Sequence, residues 1–139
     1  MKYFLIILII TVCGCSTIST YYPQKYYTVT KIKGKKNNVY FIYAKRNDSI
    51  FKIYTHYNGK KDPKAVKLKR GSIFSAHLES FNEKNIRYLN LVSWAEVSGF
   101  EYYNVIVLKE PQNGIYDIYE CKNINGIFFS CDTTAYYNQ

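Results

Sequence analysis

The feature that most limits what this chain can fold into is its punctuation, in which short apolar or alternating runs are stopped repeatedly by Gly, Pro, Asn or Asp. Tyr26 to Lys33 is followed by Gly34-Lys35-Lys36-Asn37-Asn38, and Val39 to Lys45 by Arg46-Asn47-Asp48-Ser49. Val39 to Lys45 is apolar on both faces, the pattern of a central or barrel strand. Ile50 to His56 alternates, with Phe51, Ile53 and Thr55 on one face and Lys52, Tyr54 and His56 on the other. After a basic loop from Asn58 to Lys64, Ser72 to Ser80 alternates again, turning Phe74, Ala76 and Leu78 one way and Ser75, His77 and Glu79 the other. Strands resume at Tyr102 to Lys109, Ile115 to Cys121 and Ile127 to Cys131. Between them, Asn85 to Ser98 has Ile86, Leu89, Leu91 and Trp94 near helical spacing, with Gly99 placed as a C-cap; it reads as one short helix or as a loop packed by Trp94.

This order predicts a mostly β fold, a small open β-barrel of OB-like type with one short helix; a two-sheet β-sandwich is the rival architecture. The 16 Tyr and 8 Phe suit pleated, half-buried surfaces, although a Lys, Ile, Asn and Tyr bias also follows from an AT-rich genome. Position therefore counts for more than totals. No linker divides the chain, and residues 25–139 are expected to form a single β-rich domain.

The amino terminus has a different character. Met1-Lys2 is a positive start, and Phe4 to Val12 is an apolar run far shorter than the ~20 residues a membrane-spanning helix needs. Val12-Cys13-Gly14-Cys15 follows directly. These residues resemble the lipobox of bacterial lipoproteins, with Cys13 a departure from the usual Ala, Ser or Thr. The resemblance implies that residues 1–14 are a cleaved signal peptide and that Cys15 becomes a lipidated, N-acylated first residue. Residues 15–24 would then tether the domain to a membrane. With no acidic run after Cys15, the expected location is the cell envelope, on an outer membrane and facing the periplasm. The chain as a whole resembles small envelope lipoproteins of AT-rich Gram-negative bacteria, a likeness that carries no activity with it.

The charge is unevenly divided. The chain carries +9 overall, yet residues 15–78 hold 12 Lys and 2 Arg against only Asp48 and Asp62. Residues 79–139 hold Lys84, Arg87, Lys109 and Lys122 against eight acids. A field of the first kind attracts anions over ~8–10 Å. OB-like barrels bind oligomers by combining stacking aromatics with basic side chains. Tyr43 and Tyr54, interleaved with Lys45, Arg46, Lys52, Lys60 and Lys61, are the candidate anion-binding residues, with Tyr40 and Tyr57 nearby. The alternative is that these tyrosines pack in the core while the lysines line a solvated edge. A Lys-rich, Arg-poor patch favours diffuse attraction over bidentate phosphate reading. An acidic glycan, a lipid phosphate or another envelope protein is thus the expected partner, and nucleic acid is not. The same charge argues against inhibition of a cationic host lysozyme.

Cys121 and Cys131 remain once Cys13 and Cys15 are accounted for, and outside the cytoplasm they are expected to form a disulfide. They flank Asn125-Gly126, the signal of a hairpin turn. Facing each other requires an odd turn such as Asn125-Gly126-Ile127; a two-residue turn sets them on different faces. Glu79 and Glu83 are the nearest pair of carboxylates, expected as a solvated turn, and His56 and His77 fall on faces carrying Lys or Glu. No nucleophile elbow, phosphate loop or metal-binding spacing occurs. The reading is a non-enzymatic binding protein with no catalytic residues, metal or cofactor.

Overall fold

The computed structural model describes residues 25–84 and 98–131. The proposed signal peptide, Cys15 and the tether lie outside these residues, as does nearly all of the segment from Asn85 to Ser98. The first three strands, β1 (Tyr26–Gly34), β2 (Val39–Arg46) and β3 (Ser49–His56), form an antiparallel meander. Their turns fall where the sequence places Asn. Asn37, Asn38 and Asn47 adopt left-handed backbone conformations, which Asn tolerates better than most residues. Next come β4 (Val66–Lys67), β5 (Ile73–Ser75) and β6 (Glu79–Ser80). Residues 81–84 are helical, and the Ser80 hydroxyl accepts from the Glu83 amide at 3.1 Å as an N-cap. The remaining strands are β7 (Gly99–Tyr102), β8 (Val105–Leu108), β9 (Ile118–Glu120), β10 (Ile124–Asn125) and β11 (Phe128–Phe129).

Six strands form one sheet in the order β5-β1-β2-β3-β9-β6, in which only β3 and β9 pair in parallel. Its shape follows from chain length. β5 and β6 occupy opposite edges, yet only Ala76, His77 and Leu78 separate them. A flat sheet would hold those edges five strand spacings apart, ~24 Å. Four residue steps reach at most ~14 Å. The sheet therefore curls into a half-barrel, and the expected strand from Ser72 to Ser80 is split between its two edges.

The curl creates two apolar layers. The inner one gathers Tyr27, Val29, Ile42, Ala44, Ile53, Leu68, Phe74, Cys121 and Ile124. Its inward set matches the alternation read from Ile50 to His56 and from Ser72 to Ser80. The outer layer joins Val39, Phe41, Tyr43 and Tyr54 to Val107, Ile115 and Ile118. The β7–β8 hairpin and the following residues to Ile115 cover this face. β2, apolar on both sides, thus lies between two layers, as its sequence predicts. Burying side chains such as Ile42 and Ile53 completely contributes ~1.5–3 kcal/mol each.

The hairpin expected to carry a disulfide forms with a different turn. β10 pairs with β11 as Ile124↔Phe129 and Asn125↔Phe128, leaving Gly126-Ile127 as a two-residue turn. The ladder continues through the Ser130 amide, which donates to the Asn123 carbonyl at 3.0 Å. There the pairing ends: residues 121–124 form a turn in which the Ile124 amide donates to the Cys121 carbonyl at 3.3 Å, so the cysteines do not face each other across a ladder. Both are free thiols: Cys121 is buried in the inner core and Cys131 is exposed. The Cys121 thiol donates to the Asn123 side-chain oxygen at 2.6 Å, and burial pushes its pKa up to about 12.

Candidate anion-binding site

The seven candidate residues do not form one surface. β3 sets Lys52 on its outer face, opposite Tyr43 of β2, and the hairpin covers both. Lys52 is 2% exposed. Its ammonium group donates to Glu110 Oε1 at 2.5 Å and to the Leu108 carbonyl at 2.7 Å, and lies 4.9 Å from the centre of the Phe41 ring. The Tyr43 hydroxyl donates to the same Glu110 oxygen at 2.8 Å, and Asn113 Nδ2 to the other at 3.0 Å. Burial pushes the Glu110 carboxyl up, but the hydrogen bonds from Lys52, Tyr43 and Asn113 outweigh it and bring its pKa down to about 2. Burial, and then the neighbouring Glu110, push the Tyr43 hydroxyl well above its ordinary value. This is an internal ion pair that fastens the segment after the hairpin to the half-barrel; the Lys52 ammonium is buried, while Glu110 keeps 20% of its side chain exposed.

Tyr54 is also internal. Its ring packs edge-on against Phe100 and Tyr102, and its hydroxyl points to Glu120 at 3.4 Å. Arg46 is half-buried on the inward side, its guanidinium 5.3 Å from the centres of both the Tyr27 and Phe51 rings, closing one end of the barrel. Lys45 is exposed at that end. Tyr43, Lys52 and Tyr54 are therefore corrected from surface to interior. Period-two alternation had set Lys52 and Tyr54 on the right face; a second layer then covered that face.

Lys60 and Lys61 do come together with other groups, at the opposite end of β3. Residues 57–65 pack against the β10–β11 hairpin through a reciprocal amide pair. Asn58 donates its backbone N–H to Asn125 Oδ1 at 3.0 Å, and Asn125 Nδ2 donates to Asn58 Oδ1 at 2.8 Å. Asn125 Nδ2 also donates to the Lys60 carbonyl at 2.6 Å. Gly126 makes this approach possible: at φ +64°, a Cβ there would lie 2.6 Å from Cβ of Tyr57. Between loop and hairpin lies an open depression of about 350 Å³ lined by Lys60, Lys61, Lys122, Asn123, Phe128 and Ser130, among others. Lys61 Nζ lies 5.0 Å from the centre of the Phe128 ring, and Lys122 pairs with Glu79 at 3.0 Å. The depression also contains Asp62, whose carboxylate accepts from the Ser130 hydroxyl at 2.5 Å and the Lys64 amide at 2.9 Å. Those two bonds, Ser130 first, hold its pKa below the ordinary carboxylate value.

Sequence reasoning found Lys60 and Lys61 but not Lys122, Asn123 or Phe128. Lys122 stands in the acidic half, and the pairing of β11 with β4, together with the Asn58–Asn125 amide pair, brings that hairpin beside the lysine loop. Other candidates have structural partners. His56 stacks on Tyr103 at 3.9 Å, and Glu79 pairs in strand β6 rather than forming a solvated turn with Glu83. Among the described residues, no group of three or more His, Cys, Asp or Glu could hold a metal ion, and no helix is long and apolar enough to cross a membrane. Compared with family models, curated proteins and solved structures, the chain matches none.

Proposed function

We propose that this chain is a lipid-anchored envelope protein whose β-rich domain, an OB-like barrel, binds an acidic glycan without catalysing a reaction. The observation that carries this reading is the depression between residues 57–65 and the β10–β11 hairpin. It joins three lysines, the Phe128 ring and several amide and hydroxyl groups around about 350 Å³, with one carboxylate, Asp62, held by the Ser130 hydroxyl and the Lys64 amide. That volume is at the small end of ligand pockets, ~300–1,000 Å³, and suits one sugar unit of a longer chain. The ring offers a stacking face, the amides and Ser130 offer hydrogen bonds, and the lysines favour a carboxylate or sulfate. Support for the OB-like reading comes from the strand order with its single parallel pair and from the curl forced by Ala76–Leu78. The anchor at Cys15 rests on the lipobox resemblance.

Binding is tested by titrating the protein with a sulfated hexasaccharide. With Lys122 paired to Glu79, Lys60 and Lys61 give an affinity that falls about tenfold between ~50 and ~200 mM salt. Replacing Lys60 and Lys61 together by Glu abolishes binding, while Lys36→Glu, on the β1–β2 turn, leaves most of it. Binding indifferent to salt, or to Lys60 and Lys61, refutes the site. For the anchor, Cys15→Ser blocks incorporation of labelled palmitate; continued incorporation refutes it.

A second reading has its own observation. On β8, Ile106 is 69% exposed and Leu108 50% exposed, a small apolar face that suits an envelope protein partner. Co-purification of one stable partner, lost on Ile106→Lys, would favour this reading over glycan binding.

A further inference from the structure

The end of the barrel opposite the lysine depression has an outer surface of a different kind. Paired residues in adjacent strands share a face, so the registers Thr28↔Ile73, Thr28↔Lys45 and Lys45↔Ile50 define one row across β5, β1, β2 and β3. The row reads Ile73-Thr28-Lys45-Ile50 and spans three strand spacings, ~14 Å. Ile73 is 69% exposed and Ile50 41%, and Tyr26, one step along the same face, is 59% exposed. Basic side chains frame them. Lys45 is within the row, and exposed Arg70 lies beside it, because Gly71 donates to the Val29 carbonyl and Val29 to the Ser72 carbonyl, both at 2.8 Å. At the β3 end of the row, Ile50 borders a hollow that also holds Tyr116 and the carboxylates of Asp48 and Asp117.

We infer that this row is a docking surface for an anionic phospholipid bilayer. Isolated exposed aliphatics need no explanation, but two of them with a Tyr, and with Lys45 and Arg70 alongside, match the interfacial pattern. Cations meet the lipid phosphates, Tyr sits at headgroup level and aliphatics reach the acyl boundary. Charge selects the occupant: a bilayer rich in anionic lipid attracts each nearby Lys or Arg by about fivefold in affinity. Docking here turns the depression away from the bilayer, seven residues along β3 or ~23 Å distant. The inference uses no residue of that depression and stands whether or not a glycan binds there.

Hydroxyl-radical footprinting of the full chain tests it, on vesicles of phosphatidylethanolamine with about a third phosphatidylglycerol and on phosphatidylcholine alone. On the anionic vesicles, oxidation of Tyr26, Ile50 and Ile73 falls severalfold and recovers in ~0.5 M salt, as screening requires. Tyr103, at the far end of the barrel, keeps its solution rate. Lys45→Gln combined with Arg70→Gln removes the protection by ~25-fold weaker docking. The same variant keeps its thermal midpoint and any affinity for the sulfated hexasaccharide, which separates failure here from failure of the glycan reading. Equal protection of Tyr103, equal protection on the neutral vesicles, or no association with vesicles overturns the inference. Protection that grows with protein concentration in the absence of vesicles overturns it in favour of a second copy of this chain.

Discussion

Replacing Lys52 by Met keeps the aliphatic stem in the outer layer and removes only the charge, so it isolates the internal ion pair. The loss comprises a charge-assisted bond to Glu110, another to the Leu108 carbonyl and the contact with the Phe41 ring. Breaking a fully buried pair costs about 3–5 kcal/mol. Glu110 keeps a side-chain exposure of 20% and can recover some hydration, so about 2–3 kcal/mol is expected here. The pH dependence gives an independent measure. Glu110 has its folded-state pKa lowered from 4.5 to about 2, so its stabilisation is complete above the unfolded value and is lost as pH falls from 4.5 towards 2. At ~1.36 kcal/mol per pKa unit the ceiling is about 3 kcal/mol, and partial exposure reduces it to about 2. Urea unfolding followed by circular dichroism between pH 7 and pH 2.5 measures both quantities. Lys52→Met is expected to lower stability at pH 7 and to flatten the acid limb. Adding Glu110→Gln is expected to restore about 1 kcal/mol by removing the unpaired charge. A loss below about 0.5 kcal/mol at pH 7 with an unchanged acid limb refutes the role assigned to this pair.

Three further outcomes follow from local geometry. Gly126→Ala combines a left-handed backbone with a Cβ 2.6 Å from Tyr57, and is expected to lower unfolding free energy by about 2 kcal/mol in urea titrations; a neutral result means the loop does not pack on the hairpin. With iodoacetamide under native conditions and peptide mapping, Cys131 should be alkylated and Cys121 only after unfolding, since Cys121 is 3% exposed with its pKa raised to about 12; a peptide linking the two would disprove the hairpin register. Arg46→Ala removes the guanidinium that lies over two rings, and should destabilise by about 1–2 kcal/mol while sparing glycan affinity; an unchanged thermal midpoint would count against its role in closing the barrel end.

Much of the strand pattern was legible because alternation is a local property. Phe51, Ile53 and Thr55 share the inward face read from their spacing, and Phe74 and Ala76 are buried as theirs predicted. β2 announced its two-sided burial through an apolar run with no polar face. The candidate site was less legible. Lys60 and Lys61 stood out as a basic loop, but the Phe128 ring and Lys122 reach them through the pairing of β11 with β4 and the Asn58–Asn125 amide pair, contacts some sixty residues apart in the chain.

The sequence by itself determined which side chains share a face in the first strands and where Asn turns the chain between them. It did not determine every strand bound: Ser72 to Ser80 divides into β5 and β6, and the strand expected from Tyr102 to Lys109 is the β7–β8 hairpin, turning at Tyr103-Asn104. It also determined that the positive charge is concentrated in the first half and carries the lipobox resemblance at Cys15. Tertiary structure alone decided which faces meet water. Lys52, Tyr43 and Tyr54 became interior because a hairpin some fifty residues downstream covers them. It also decided the fate of the cysteines. The turn over residues 121–124 carries Cys121 into the core together with Ile124, while Cys131 lies past the end of β11 at the surface.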